Sequence, residues 1–310
     1  MKPLVTVIGI AYNHEPFIKE ALESLWAQTY PSLEIILLDD ASQDKSQSLI
    51  QELIANREGV QFIPHKENRG YTSTFNEGLA LAKGAYIIDF ALDDVMLPDF
   101  IAKSVEALEA AGDQYGVSFS NAEYIDADSQ VIGNHTQSLI DKGMIKGVPQ
   151  GDIFKDVLRR YFICTPTMVM KRSVLDRLEG YDAGLAYEDF DFWVRSSRFW
   201  QYTYIDEVLM KKRKLNTSMS ANRLRHWQNE QLESVYQVCE KALTLCKTKA
   251  ELKALRERLA YEYRQCIRAG HSALAHQYLT LYGQANGQSW WPQLTGLLTK
   301  TGLIKRSARG

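Results

Sequence analysis

Short, uninterrupted apolar runs alternate with amphipathic stretches over the first half of the chain. The runs are rich in Val, Ile and Leu, and they fall at residues 4–10, 34–38, 60–63, 85–90 and 116–119. Apolar runs that do not alternate with polar residues predict strands covered on both faces, as in a mainly parallel sheet. Helical spacing between the runs predicts helices beginning near Asn13 and covering residues 45–56 and 72–82. Together they predict a Rossmann-like α/β domain whose mainly parallel sheet is flanked by helices.

The pattern changes beyond residue 119. Residues 128–130 predict a hairpin turn, and the polar, glycine-containing stretch 133–150 predicts a long mobile loop. A helix near 153–161, a strand at 167–171 and a helix at 173–178 follow. From 227 to 282 the chain lacks proline, and its apolar spacing predicts two or three amphipathic helices. We therefore expect a sheet-containing domain at residues 1–215 and a helical C-terminal region with a basic tail at 216–310.

Composition narrows the class of protein. The chain has 45% hydrophobic and 24% charged residues, which is typical of a folded globular protein. Its net charge of −2 argues against nucleic acid as a partner. The four cysteines form no C-x-x-C pair, which favours free thiols in a reducing compartment. The N-terminus does not resemble a signal peptide, and no apolar run is long enough to span a membrane, so we expect a cytoplasmic location.

Acidic and polar residues follow three of the predicted strands. Ala11-Tyr12-Asn13 follow the first strand, Asp39-Asp40 the second, and Asp93-Asp94 the strand at 85–90. Ligands of such sheets bind beyond the carboxyl ends of the strands, and clustered carboxylates require a cation or hydrogen-bond donors. Mg²⁺ or Mn²⁺, bound by carboxylates and substrate phosphates, is one interpretation. The alternative is that the acids cap the following helices. The first turn lacks G-x-G-x-x-G, which disfavours a dinucleotide site.

Several motifs stand in a fixed order along the chain: residues 5–13 (VTVIGIAYN), 24–30, 34–44, 67–70 (ENRG), 84–94, 180–182 (GYD) and 187–195 (YEDFDFWVR). In order and spacing they resemble the family 2 glycosyltransferases over residues 4 to about 210. The resemblance implies the GT-A fold and a nucleotide-sugar-dependent, inverting enzyme. One departure concerns the sequence D-x-D-D that the family often carries. This chain has Ala91-Leu92-Asp93-Asp94, which leaves one acid fewer for a metal.

The resemblance also implies roles for individual residues. Asp189 matches the catalytic base and Asp94 the ligand of a Mn²⁺ or Mg²⁺ cofactor. The nucleotide-binding positions are Ala11, Tyr12, Asn13, Asp40, Arg69 and Asp93, with the Tyr12 ring stacking on the base and Asp40 accepting the imide N–H of uracil or thymine. Glu188 and Arg213 are further candidates for contacts with the pyrophosphate or the donor, Arg213 because cations suit phosphate oxygens. Taken alone, Asp189 at a helix start is better explained as a cap, and Asp191 competes for the role of base.

These roles predict a metal-dependent hexosyl- or hexosaminyltransferase that moves a sugar from a UDP-sugar or dTDP-sugar to a hydroxyl of a glycan or glycolipid. The resemblance suggests bacterial surface polysaccharide biosynthesis. The alternative is a non-catalytic sugar-nucleotide-binding scaffold subunit of a glycan-assembly complex. A nucleotidyltransferase is disfavoured, because residues 9–15 do not form a Gly- and Lys/Arg-rich phosphate loop.

Two basic segments have open interpretations. Residues 211–214 (KKRK), followed by 216–218, predict either a loop over the pyrophosphate or a solvated basic loop. His226 is a lone histidine that we leave out of the metal site. The tail carries Trp290-Trp291 and the cations Lys300, Lys305, Arg306 and Arg309. It predicts peripheral contact with the inner face of the membrane, and the alternative is that the tryptophans pack on the body of the protein.

Overall fold

A computed structural model describes residues 2–215 and 229–287. The predictions for His226, for 216–218 and for the tail after residue 287 concern residues outside this part. The chain divides into two compact units. The first takes in 1–153, 162–183 and 199–218, and the second takes in 154–161, 184–198 and 219–310. The units therefore do not follow a single boundary, and the division at residue 215 stays a prediction.

The first unit contains a sheet of nine strands among the described residues. They are β1 (Val5–Ala11), β2 (Leu33–Asp39), β3 (Val60–Pro64), β4 (Tyr86–Ala91), β5 (Val95–Met96), β6 (Tyr115–Ile125), β7 (Val131–Asn134), β8 (Val169–Lys171) and β9 (Gln201–Arg213). Their order is β3-β2-β1-β4-β8-β6-β9-β5, with β7 paired to β6. Strands β1 to β4 pair in parallel, whereas β8 is antiparallel to both β4 and β6. The predicted α/β class is confirmed, with a sheet that is mixed.

Helices pack on this sheet because their apolar residues share one face. Those of the first unit are α1 (Ile18–Trp26), α2 (Ser46–Ile54), α3 (Tyr71–Leu81), α4 (Phe100–Ala111), α5 (His135–Asp141) and α7 (Arg172–Leu178). Leu22 and Leu25 of α1 and Leu108 of α4 are fully buried in the same core as Val5 and Val7 of β1. All seven residues of β1 are buried, which explains its uninterrupted apolar run.

Two segments differ from the expectation. Residues 133–150 are not one long loop, because α5 forms within them; the Asn134 side chain accepts the N–H of Gln137 and begins this helix. The predicted basic loop at 211–214 is also wrong in its structure. Lys211, Lys212 and Arg213 form the end of β9, where Tyr124 of β6 is in register with Lys212. Because these residues are charged, the pattern of apolar runs does not predict the end of this strand.

The second unit is helical in its described residues. It contains α6 (Phe154–Arg159), α8 (Glu188–Ser197), α9 (Asn229–Leu245), α10 (Lys249–Ala269) and α11 (Ser272–Ala285), which confirms the predicted C-terminal helices. The N-terminus of α10 is fixed by a capping box in which Thr248 and Glu251 bond each other's backbone N–H groups. No described helix has the length and apolar character needed to cross a bilayer.

Candidate active site

Polar residues of the first unit gather where β1, β2 and β4 end. The register places Ala11 beside Asp39 and Ile10 beside Ala91. The Asp40 N–H donates to the carbonyl of Ala11 at 2.9 Å, and the Leu92 N–H donates to that of Ile10 at 2.9 Å. The segments beginning at Tyr12, Asp40 and Asp93 therefore leave the same edge of the sheet from neighbouring strands.

The turn after β1 is bonded to the turn after β2. Asn13 has a φ of +56°, in the left-handed region that Asn tolerates better than most residues. Its N–H donates to Ser42 Oγ at 2.8 Å, and its Oδ1 accepts the Gln43 N–H at 2.7 Å. The neighbouring Tyr12 side chain is 46% exposed. An open ring on a fixed turn suits stacking on a base, and that role of Tyr12 stays a prediction.

Asp40 is 2% exposed and its carboxylate holds the loop after β3. Oδ1 accepts the Arg69 N–H at 2.8 Å, and Oδ2 accepts the Gly70 N–H at 2.9 Å. The Asn68 side chain also donates to the Asp40 carbonyl at 3.1 Å. The structure thus brings Ala11, Asp40 and Arg69 together as predicted neighbours. The predicted contact of Asp40 with uracil would add to a carboxylate that already accepts two backbone donors.

His65 is a residue of this edge that the sequence did not single out. Its Nδ1 lies 3.1 Å from Asp40 Oδ1, and its Nε2 lies 3.1 Å from Glu77 Oε2. Glu77 also accepts a hydrogen bond of 2.8 Å from the Arg69 guanidinium. The register of the strands would have indicated this contact. Asp39 of β2 pairs with Pro64 of β3, so the residues that follow them, Asp40 and His65, lie side by side.

Replacing Asp40 by Asn places an amide N–H₂ group against one of the backbone donors of Arg69 and Gly70. We expect a loss of about 1–3 kcal/mol in the free energy of unfolding, because a buried donor is left without its acceptor. Urea unfolding measures this change, and titration with UDP should show weaker binding. Glu67→Gln, on the exposed part of the same loop, serves as the control. Unchanged unfolding of Asp40→Asn would contradict the hydrogen bonds described here.

Asp93 and Asp94 are joined to Arg213 at the end of β9. The Arg213 N–H donates to Asp94 Oδ1 at 2.7 Å, and its Nε donates to the Asp93 carbonyl at 2.8 Å. The guanidinium also bonds the Asp126 carbonyl at 2.7 Å and Glu20 Oε2 at 2.6 Å. Arg213 is 2% exposed. Arg213 is therefore a buried clamp that holds the end of β9 to Asp93, Asp126 and Glu20. Its contact with a pyrophosphate stays a prediction.

The donor set at Asp93 and Asp94 fits a divalent cation that a substrate helps to hold. Burial, followed by the charge of Asp93, raises the pKa of Asp94 well above its ordinary value, and Lys212 and Arg213 act in the opposite direction. A carboxylate in such surroundings gains from a divalent cation. Among residues 2–215 and 229–287, no three His, Cys, Asp or Glu side chains form a metal cluster by themselves. The two carboxylates are ligands of the kind that Mg²⁺ or Mn²⁺ takes, and substrate phosphates would have to complete such a site.

Three acids lie in the first turn of α8, in the second unit: Glu188, Asp189 and Asp191. Negative charge is favourable at a helix N-terminus. Asp191 is fully buried, and its carboxylate accepts bonds from Arg195 Nε at 2.5 Å and Lys241 Nζ at 2.8 Å. Asp191 therefore serves as a buried ion-pair partner, which makes it a poor competitor for the role of base. Glu188 and Asp189 are partly exposed, and their roles stay predictions.

Comparison with known sequences defines the class. The model of the glycosyl transferase family 2 matches residues 6–178. An uncharacterized glycosyltransferase of Haemophilus influenzae is 30% identical over 248 residues, covering 75% of this chain and 72% of that protein. Another, MJ1057 of Methanocaldococcus jannaschii, is 26% identical over 248 residues, covering 74% and 81%. The chain belongs to glycosyl transferase family 2, and it is a glycosyltransferase.

Solved structures agree on the fold. The crystal structure of S. aureus TarS 1-349 in complex with UDP-GlcNAc has a TM-score of 0.68 at 16% identity, covering 95% of this chain and 83% of that chain. The mannosyltransferase PcManGT from Pyrobaculum calidifontis, in complex with GDP-Man and Mn²⁺, has a TM-score of 0.60 at 17% identity, covering 99% and 89%. The predicted GT-A fold is confirmed.

Proposed function

We propose that this enzyme transfers a sugar from a UDP-sugar, with dTDP-sugars as the second choice, to a hydroxyl of a glycan or glycolipid. The observation that carries the proposal is the edge of the sheet where an open Tyr12 ring, the Asp40 loop and the Asp93–Asp94 pair follow neighbouring strands. Such an edge offers a stacking surface for a base and carboxylates for a cation that binds phosphates. The UDP-GlcNAc complex of TarS supports the choice of nucleotide.

The proposed reaction makes one bond and breaks one bond at the anomeric carbon. The acceptor hydroxyl oxygen attacks this carbon, and its proton passes to the Asp189 carboxylate. The bond from the carbon to the diphosphate oxygen breaks, and the electron pair leaves with the nucleoside diphosphate. Attack opposite the leaving group inverts the centre and requires no covalent sugar intermediate.

Asp93 and Asp94 would hold the divalent cation, whose chemistry is to neutralise charge on the departing diphosphate. The GDP-Man and Mn²⁺ complex of PcManGT supports this choice of cofactor. Tyr12 and the turn of Asn13 would orient the nucleoside, and the buried Asp40 would keep the 65–70 loop in place beside it. The family resemblance supports a glycan or glycolipid acceptor and a place in surface polysaccharide biosynthesis, and analysis of the product tests both.

A thermal-shift screen of UDP, dTDP and GDP and their sugar derivatives, with and without Mn²⁺, tests the nucleotide class. We expect UDP compounds to raise the melting temperature most, and Mn²⁺ to increase the shift, because a ligand at a hundred times its Kd stabilises the native state by about 2.7 kcal/mol. A larger shift with GDP would contradict the uracil assignment. A UDP shift without turnover of any donor or acceptor would favour the scaffold subunit.

A further inference from the structure

The N-terminal turn of α8 is anchored on both sides of Asp189 by residues of α9. On the preceding side, the Tyr187 N–H donates to the hydroxyl of the buried Ser234 at 3.0 Å. On the following side, the fully buried Asp191 accepts a bond of 2.8 Å from Lys241. Asp189 is two residues from either anchor. Ser234 and Lys241 therefore restrain the backbone that carries Asp189.

Aromatic packing and a third helix secure the same turn. The Tyr187 and Tyr161 rings meet edge to face with centroids 5.2 Å apart, and Tyr161 meets Phe190 in the same way at 5.0 Å. The guanidinium carbon of Arg258, on α10, lies 4.0 Å from the Tyr161 ring centroid and 5.2 Å from that of Phe190. Arg258 Nε also donates to the Leu158 carbonyl at 2.9 Å. Arg258 therefore contacts both α6, through the Leu158 carbonyl, and α8, through the Phe190 ring.

A buried ion pair such as that of Asp191 and Lys241 is by itself weak evidence for stability. Lys241 keeps 35% of its side chain exposed, so most of the desolvation cost of the ion pair falls on Asp191. Apolar residues of similar volume often stabilise a core as well as a buried ion pair does. What directional bonds add is a defined position for the groups beside them.

We propose that Ser234 and Lys241 are positioning residues for Asp189, so that the C-terminal helices determine the geometry of proton removal from the acceptor. This inference rests on the proposed role of Asp189 as the base. A displacement of about 1 Å in a catalytic group can reduce turnover about a hundredfold. The two residues therefore act on kcat, while the nucleotide contacts of the first unit act on donor binding.

The test compares Lys241→Met, Lys241→Arg and Ser234→Ala with the natural enzyme. The assay follows release of nucleoside diphosphate in Mn²⁺, with water as the acceptor, from a panel of UDP-GlcNAc, UDP-glucose, UDP-galactose and dTDP-rhamnose, using the donor that is turned over fastest. We expect Lys241→Met to lower kcat between about tenfold and a hundredfold with little change in KM for the donor. Lys241→Arg should recover part of the loss. Lys253→Met, an exposed lysine of α10, is the matched control.

Two measurements separate positioning from simple loss of fold. Kinetics are recorded well below the unfolding midpoint of each variant, and Ser234→Ala provides a milder change if Lys241→Met does not fold. The loss caused by either change should disappear in an Asp189→Asn background, because a residue that acts through Asp189 has nothing left to position. A fully folded Lys241→Met or Ser234→Ala enzyme with natural kcat would overturn the inference. Natural kcat in Asp189→Asn alone would instead overturn the proposed base.

Discussion

Asp189→Asn is expected to lower kcat by about 10²- to 10⁴-fold, the usual contribution of a positioned general base. The substitution keeps the shape of the side chain and removes its ability to take the proton of the acceptor hydroxyl. UDP affinity should remain unchanged, because the proposed nucleotide contacts belong to the segments that follow β1, β2, β3 and β4. Turnover and UDP binding are measured on the same preparation, so that a loss of folded enzyme cannot imitate a loss of chemistry.

Glu188→Gln is the comparison variant for this prediction, since Glu188 lies in the same turn of α8. As a proposed donor contact, Glu188 should affect KM for the donor more than kcat. Equal losses of kcat in Glu188→Gln and Asp189→Asn would mean that catalysis depends on the negative charge of this turn, and that neither residue alone is the base. Full activity of Asp189→Asn would remove the assignment altogether.

Arg213→Met is expected to lower the free energy of unfolding by about 3 kcal/mol. The change leaves the carbonyls of Asp93 and Asp126 without the donors that the guanidinium supplies, and it ends the contact with Glu20. The Glu20 side chain is 43% exposed, so water can solvate its carboxylate once Arg213 is gone. The expected loss of about 3 kcal/mol therefore lies at the lower end of the range for broken buried ion pairs. Urea unfolding gives the measurement.

Lys211→Met is the matched control for Arg213→Met, because Lys211 is a cation of the same strand that is only partly buried. Surface changes of this kind usually alter stability by less than about 0.5 kcal/mol. A small effect of both substitutions would contradict the clamp. A large effect of both would point to the strand β9 as a whole rather than to the guanidinium.

The apolar runs of the sequence predicted β1 to β4 and the edge at which they end, because strands buried on both faces leave no polar residue to interrupt the run. Strand β9 escaped prediction for the opposite reason. Its last residues, Lys211 to Arg213, are charged, and one of them is buried by partners such as Glu20, from a distant part of the chain. Local sequence cannot show that such a partner exists.

For the acids of the candidate site, too, the sequence predicted one part of the picture and not the other. Their identity at strand ends and at the start of α8 could be predicted from the sequence and its family resemblance. Their partners could not, since His65 meets Asp40, and Lys241 meets Asp191, only after distant segments pack. The pattern of residue types therefore indicated which carboxylates belong to the candidate site. Only the tertiary contacts show which of them, such as Asp40 and Asp191, are buried and paired within the fold.

The scattered origin of the second unit also bears on how the chain emerges during synthesis. Tyr161, Phe190 and Trp193 leave the ribosome well before Arg258, whose guanidinium packs on Tyr161 and Phe190. Domains fold as their residues become available, so the Tyr161 and Phe190 rings remain without Arg258 until α10, which ends at Ala269, has left the ribosome. A nascent chain stopped near residue 215 lacks this helix, and we expect it to expose these rings to chaperones that bind apolar segments.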